Sequence, residues 1–174
     1  MSLGLYLHIP YCFSKCRYCD FYSHPGERGV PEAYVDALLR ELSRFAPEAP
    51  LQPDTLYFGG GTPSLLRPEQ AKRLIDAARP MPGAEITLEA NPETVTEESL
   101  AGFREAGVNR ISFGVQSARD TQLRTLGRPH TAKQARTAFA AARRAGFANI
   151  SGDIMLALPH YTEAEFDETL ELIE

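Results

Sequence analysis

Two stretches built alike decide the fold: Ala106-Gly107-Val108-Asn109-Arg110-Ile111-Ser112 and Ala145-Gly146-Phe147-Ala148-Asn149-Ile150-Ser151. In each, an alanine–glycine pair closes an amphipathic segment, and an isoleucine–serine pair at the same spacing opens an apolar one. Glycine just past a helix takes the left-handed conformation that ends it at no steric cost. A helix end feeding a new strand, twice over, marks repeated βα units. Such units imply a parallel sheet with right-handed crossovers.

Outward from this repeat, short apolar runs at residues 5–9, 55–58, 85–89, 110–114 and 149–156 read as strands. Helical spacing lies between them. Val35, Leu38, Leu39, Leu42 and Phe45 follow Pro31; Ala71, Leu74, Ile75 and Ala78 follow Pro68. Leu100 and Phe103 follow a candidate N-cap at Thr96. Ala135, Ala138, Phe139 and Ala142 follow Thr131, whose partner Gln134 completes a capping box. Thr162 and Glu165 repeat that box before Phe166, Leu170 and Ile173. The expected fold is therefore α/β: a partial (β/α) barrel with an open parallel sheet and five βα units visible. A doubly wound sheet is the alternative, but the first strand runs into a cysteine loop rather than G-x-G-x-x-G. No linker interrupts the chain, so residues 1–174 read as one domain. Five units are fewer than the eight of a closed barrel; either the sheet stays open or the domain is incomplete at its C-terminal end.

Composition narrows the function. The 174 residues are 43% hydrophobic and 24% charged, an ordinary globular balance. No apolar run reaches the roughly 18 residues needed to span a bilayer, and Met1-Ser2-Leu3-Gly4 does not open a secretory signal. A net charge of −5 argues against nucleic acid or an anionic membrane as partner. The three cysteines, Cys12, Cys16 and Cys19, share one short segment. An odd number so close together makes a poor disulfide framework and points to a reducing cytoplasm and a soft metal centre.

In parallel βα folds, ligands bind beyond the C-terminal ends of the strands. There the sequence places the cysteines, then Gly59-Gly60-Gly61-Thr62-Pro63, Glu89-Ala90-Asn91-Pro92, Gln116 and Asp153. Each has a plain structural alternative. The glycines could turn the chain, although three together suit close approach of backbone to a ligand. Glu89 could be solvated, Gln116 could cap the next segment, Asp153 could pair with an arginine, and Arg128 could lie on the surface. His8 reads as a satisfied structural histidine; His130 and His160 give no separate signal. The cysteines could bind zinc with His8 or His24 as fourth ligand, or three irons of a cubane cluster with the fourth left open.

Cys12-x-x-x-Cys16-x-x-Cys19 resembles the signature of the radical S-adenosylmethionine superfamily. The string Tyr6-Leu7-His8-Ile9-Pro10-Tyr11-Cys12 resembles the branch holding the oxygen-independent coproporphyrinogen III oxidases and a haem chaperone subgroup. The match continues through the glycine run, Glu89-Ala90-Asn91-Pro92, Gly114-Val115-Gln116 and Asp153-Ile154-Met155. The resemblance implies a [4Fe–4S] cluster on the three cysteines, with the open iron chelated by the amino and carboxylate groups of S-adenosylmethionine. One-electron reduction then yields a 5′-deoxyadenosyl radical. It implies contacts to the nucleoside from Tyr6 and the Tyr18 backbone, to the methionine amino group from Gly60, Gly61 and Thr62, and further polar contacts from Glu89, Gln116, Arg128 and Asp153. Carboxylates suit a sulfonium and an ammonium, and an arginine suits a carboxylate.

Within the branch, the oxidases carry a further cysteine two positions after the third. Here Phe21 stands there, as in the haem chaperone subgroup. The resemblance thus implies haem as ligand, haem-accepting proteins and an electron donor such as a flavodoxin as partners, and a cytoplasmic site with possible contact to membrane haem proteins. The oxidase reaction, converting coproporphyrinogen III to protoporphyrinogen IX by radical decarboxylation, is the alternative. A non-catalytic zinc domain is the second. The family's core has six βα units and continues into a C-terminal region for substrate or haem handling. One departure is Ala157, in Met155-Leu156-Ala157-Leu158-Pro159, where the family usually has glycine.

Overall fold

The computed structural model describes residues 3–45, 51–158 and 161–173. His160, Pro159 and Glu174 lie outside them. The strands are β1 Gly4–Ile9, β2 Tyr11–Cys12, β3 His24–Pro25, β4 Thr55–Gly60, β5 Glu85–Ala90, β6 Arg110–Gln116 and β7 Asn149–Ile154. The helices are α1 Glu32–Phe45, α2 Pro68–Ala78, α3 Glu97–Ala106, α4 Asp120–Leu126, α5 Ala132–Arg144 and α6 Glu163–Ile173. Five strands form one parallel sheet in the order β1-β4-β5-β6-β7, while β2 and β3 pair separately. This is the open parallel α/β sheet expected of a partial barrel.

The strands alternate residue by residue. Leu7, Ile9, Leu56, Phe58, Ile86, Leu88, Ile111, Phe113 and Val115 point to one face, where they are buried with α1, α2, α3, α5 and α6. Tyr6, His8, Tyr57, Thr87, Glu89, Arg110, Ser112, Ser151 and Asp153 occupy the other face. Register keeps them in rows, with Tyr6 beside Tyr57, Tyr57 beside Thr87, Thr87 beside Arg110, and Glu89 beside Ser112. A closed barrel fills this face with branched apolar layers. Here it is polar, which suits a ligand rather than a core.

The caps behave as their chemistry requires. Ser99 N donates to Thr96 Oγ1 at 3.1 Å and Gln134 N to Thr131 Oγ1 at 3.2 Å; Glu165 N donates to Thr162 Oγ1 at 3.3 Å. Gly107 and Gly146 have φ of 113° and 89° where α3 and α5 end.

Five details differ from expectation. The fourth strand of the large sheet, β6, continues through Gln116, and β7 stops at Ile154 rather than residue 156. Gly59 and Gly60 lie inside β4 instead of following it. Phe45 ends α1 exposed, off the apolar face. Helix α4 was not foreseen: its seven residues bury just Leu123 and Leu126, too few to show a period.

Candidate cofactor and metal site

The cysteine loop leaves β1 through Pro10 and is tied down by backbone. His24 N donates to Pro10 O at 2.6 Å, Glu27 N to Cys12 O at 3.1 Å, and Cys19 N to Cys16 O at 3.1 Å. Lys15 crosses the loop, with Nζ donating to Ser23 Oγ at 3.1 Å. Helix α4 buttresses the far side: Arg17 N donates to Leu126 O at 3.0 Å, and its guanidinium to Thr125 O at 3.3 Å. The element that sequence periodicity missed thus holds the loop carrying the three cysteines.

Cys12, Cys16 and Cys19 are free and half-buried. Burial raises the Cys16 thiol's pKa, the Arg128 cation opposes this, and the neighbouring thiols add to the rise. A metal must displace that proton, as thiolate ligation always requires. Among the described residues, no three His, Cys, Asp or Glu side chains converge closely enough to hold a single metal ion. A cubane cluster asks less convergence, because each thiolate bonds a different iron. Three soft donors on a short loop, facing a cavity whose lining includes two carboxylates and an arginine, fit that group.

The cavity is lined by all three cysteines together with Tyr18, Gly60, Gly61, Thr62, Glu89, Gln116, Arg128 and Asp153. Eleven of the twelve site residues named from the sequence therefore meet in one place. Tyr6 does not line it; it stands on the same sheet face, stacked on Tyr57 with ring centroids 5.9 Å apart.

The glycine run is needed for close approach, but to protein atoms. A Cβ at Gly60, whose φ is 118°, would lie 2.7 Å from the His8 ring; one at Gly61 would lie 2.9 Å from Cys12 Sγ. The strand thereby brings the rim of β4 against the cysteine loop. His8 itself is satisfied, with Nε2 at 3.1 Å from Tyr22 O.

Glu89 accepts from Tyr57 OH at 2.9 Å and from Gly60 N at 3.2 Å. Burial nonetheless raises its pKa, and Asp153 adds to the rise, against those two hydrogen bonds and His8. A carboxylate held in this way gains from a cationic ligand. Tyr57 is driven well above the usual phenol range by burial and then by Glu89, so it stays a donor.

A second chain of contacts joins the ends of β4 and β5 to the loop. Arg128 donates through Nη1 to Asn91 Oδ1 at 2.7 Å and through Nη2 to Tyr18 OH at 2.6 Å. Asn91 Nδ2 donates to Thr62 Oγ1 at 3.1 Å, and Thr62 Oγ1 to Cys12 Sγ at 3.5 Å. Gln116 is buried with φ of 67°, and Ser117 N donates back to Val115 O at 2.8 Å, a strained three-residue turn. Behind the turn, buried His130 donates from Nε2 to Val115 O at 3.1 Å, with Nδ1 3.2 Å from Glu93 Oε2. Asn91, Glu93 and His130 were not singled out as site residues. Asn91 lay in a quoted motif, whereas His130 has a role that depends on a contact to β6 that no local pattern encodes.

A family model for the radical SAM superfamily matches residues 6–173. The chain belongs to the radical SAM superfamily. Within that superfamily it is similar to the haem chaperone HemW of Haemophilus influenzae, at 39% identity over 99% of this chain and 48% of that protein. HemW of Escherichia coli is 43% identical over 90% of this chain and 43% of its own length. Among solved structures, the coproporphyrinogen III oxidase HemN of Escherichia coli, described as a radical SAM enzyme, superposes with a TM-score of 0.86 at 31% identity. That match covers 98% of this chain and 41% of HemN. The radical SAM chain described here spans less than half the length of these relatives. Its superfamily implies a [4Fe–4S] cluster and S-adenosylmethionine as cofactors. No helix among the described residues is long and apolar enough to cross a membrane.

Proposed function

We propose that this radical SAM chain is the cofactor-binding part of a haem chaperone of the HemW kind. Cys12, Cys16 and Cys19 hold the cluster. The Tyr18 backbone faces the nucleoside of S-adenosylmethionine, with Tyr6 approaching it from beside the cavity on the same sheet face, and Gly60, Gly61 and Thr62 receive its amino group. Glu89 and Asp153 offset its positive charge, Arg128 grips its carboxylate, and Gln116 adds a polar contact. When bound, the two cofactors supply reductive cleavage of the sulfonium. The protein's part is to orient the ligand and limit water around it. Haem is the proposed cargo, with haem-accepting proteins and a flavodoxin-like electron donor as partners, in the cytoplasm.

One observation carries the chaperone reading over the oxidase reading. Phe21 occupies the position of the oxidases' additional cysteine and lines the cavity, the residue being 65% exposed. The HemW relatives, at about 40% identity, support it. The likeness to HemN supports the alternative, oxidation of coproporphyrinogen III.

The test is anaerobic reconstitution of the full-length protein, with iron and sulfide assay, electron paramagnetic resonance after reduction, haem titration, and product analysis with coproporphyrinogen. One cluster, saturable haem binding and no protoporphyrinogen is the expected result. Protoporphyrinogen formation would replace the chaperone by the oxidase. Stoichiometric zinc without sulfide would remove both.

A further inference from the structure

The polar face of the sheet holds a charge, Arg110, at the end remote from the cysteines. Its guanidinium donates through Nη2 to Ser151 Oγ at 3.0 Å and through Nη1 to Thr87 Oγ1 at 3.3 Å. Ser151 Oγ lies 2.9 Å from Ser112 Oγ, and Ser112 Oγ lies 3.3 Å from Asp153 Oδ1. Proton counting fixes the direction of every bond in this row. A guanidinium can only donate and a carboxylate can only accept. Ser112 therefore spends its one proton on Asp153, and Ser151 must spend its own on Ser112. The row runs one way, from cation to anion, across β6 and β7. A second arm runs likewise from Arg110 through Thr87 to Glu85 Oε1 at 3.2 Å.

We propose that Arg110, Ser151 and Ser112 are positioning residues that set the Asp153 carboxylate for S-adenosylmethionine. The inference rests on the reading of Asp153 as a contact to that cofactor. Asp153 sits exposed on β7, the last strand of the sheet, and forms no ion pair among the described residues. Left alone, such a side chain would sample several rotamers and lose conformational freedom on binding. The relay removes that cost beforehand. Ser112 is 3% exposed, so its hydroxyl has little competition from water. A chain of hydrogen bonds ending on a charge at both ends also polarises each member, strengthening the last bond. Arg110 thus acts on the ligand site through two serines without touching it.

The test is S-adenosylmethionine binding by isothermal titration to the cluster-reconstituted full chain, with thermal melting of each variant alongside. Ser151→Ala cuts the row and weakens binding by about three- to tenfold, the worth of one ordinary hydrogen bond. Ser151→Thr keeps a hydroxyl on a strand that favours branched residues and restores affinity. Ser112→Ala repeats the Ser151→Ala effect without adding to it. The double variant Ser151→Ala with Asp153→Asn binds no worse than Asp153→Asn alone. Glu85→Gln, on the other arm, binds as wild type. Wild-type affinity in Ser151→Ala, or additive losses with Asp153→Asn, would overturn the relay while leaving the Asp153 contact standing. Wild-type affinity in Asp153→Asn would overturn the contact itself, and the relay with it.

Discussion

The two faces of the sheet use the same strands for opposite ends. On β6, Ile111, Phe113 and Val115 are fully buried under helices, while Arg110, Ser112, Gly114 and Gln116 alternate with them on the opposite face, the last three lining the cavity. Parallel sheets are normally apolar on both faces, so a strictly alternating parallel strand signals that one face has been given to chemistry. On the proposed reading, stability then comes from every second residue and binding from the rest. A glutamate such as Glu89 can be held against its own preference because Leu88 and Ala90, its neighbours in the chain, are anchored beneath it.

The strongest way to break this division is on the apolar side. Phe113 is fully buried, with its ring centroid 5.1 Å from that of Phe139. Phe113→Ala is expected to lower stability by about 3–5 kcal/mol, through lost transfer energy and a cavity. Denaturant unfolding measures it. A loss under about 1 kcal/mol would mean that this face does not carry the fold.

On the polar side the same strands should answer in binding. Glu89→Ala is expected to weaken S-adenosylmethionine by about ten- to a hundredfold, the loss of a charge-assisted contact of roughly 1.5–3 kcal/mol, with the cluster intact. Titration of the reconstituted variant checks this. Unchanged affinity would make Glu89 structural and erase the contrast.

Acid–base linkage sharpens the contrast at the same residue. Burial raises the folded pKa of Glu89 above its unfolded value. Its contribution to stability is therefore complete below the unfolded pKa, and declines as pH rises through the folded one. Glu89→Gln removes that decline. Without ligand, the variant should gain on the wild type as pH rises from about 4 to 8, in the direction set by linkage, while binding the cofactor less well. Melting curves across that range decide it. A difference constant with pH would show that the folded protein does not hold Glu89 against ionisation.

Much of the fold was legible in the sequence, since short apolar runs and glycine-terminated helices are local properties, whereas the division of the sheet into two faces was not read from it. The parallel sheet and the capping boxes at Thr131 and Thr162 followed from such patterns, and motif resemblance named twelve residues of which eleven line the cavity. What escaped depends on tertiary contact. Helix α4 shows too few apolar residues to announce itself, yet Leu126 O and Thr125 O anchor the cysteine loop at Arg17. The pairing of β2 with β3 joins residues on either side of that loop. Asn91, at the end of β5, bridges Arg128 and Thr62. The glycines at 59–61 looked made for a ligand; they make room first for Tyr6, His8 and Cys12.

The smallest expected effect lies on neither face. Ala157, where the resemblance leads one to expect glycine, follows β7 with φ of 54°. A Cβ in the left-handed region crowds the following carbonyl and costs about 1–2 kcal/mol. Glycine avoids that clash but gives the unfolded chain more freedom, which returns roughly 0.4–1 kcal/mol of the gain. Ala157→Gly should therefore raise stability by about 0.5–1 kcal/mol, a shift of about 1–4 °C in melting temperature for a domain of this size. Ala157 is exposed and lines no part of the cavity, so S-adenosylmethionine affinity should stay at the wild-type value. The pair of measurements matters more than either alone. A variant that gains stability with unchanged affinity places the strain in the connection rather than in the site. A variant that gains stability and loses affinity would show that the loop after β7 holds Asp153 in place, extending the functional face past the end of its strand.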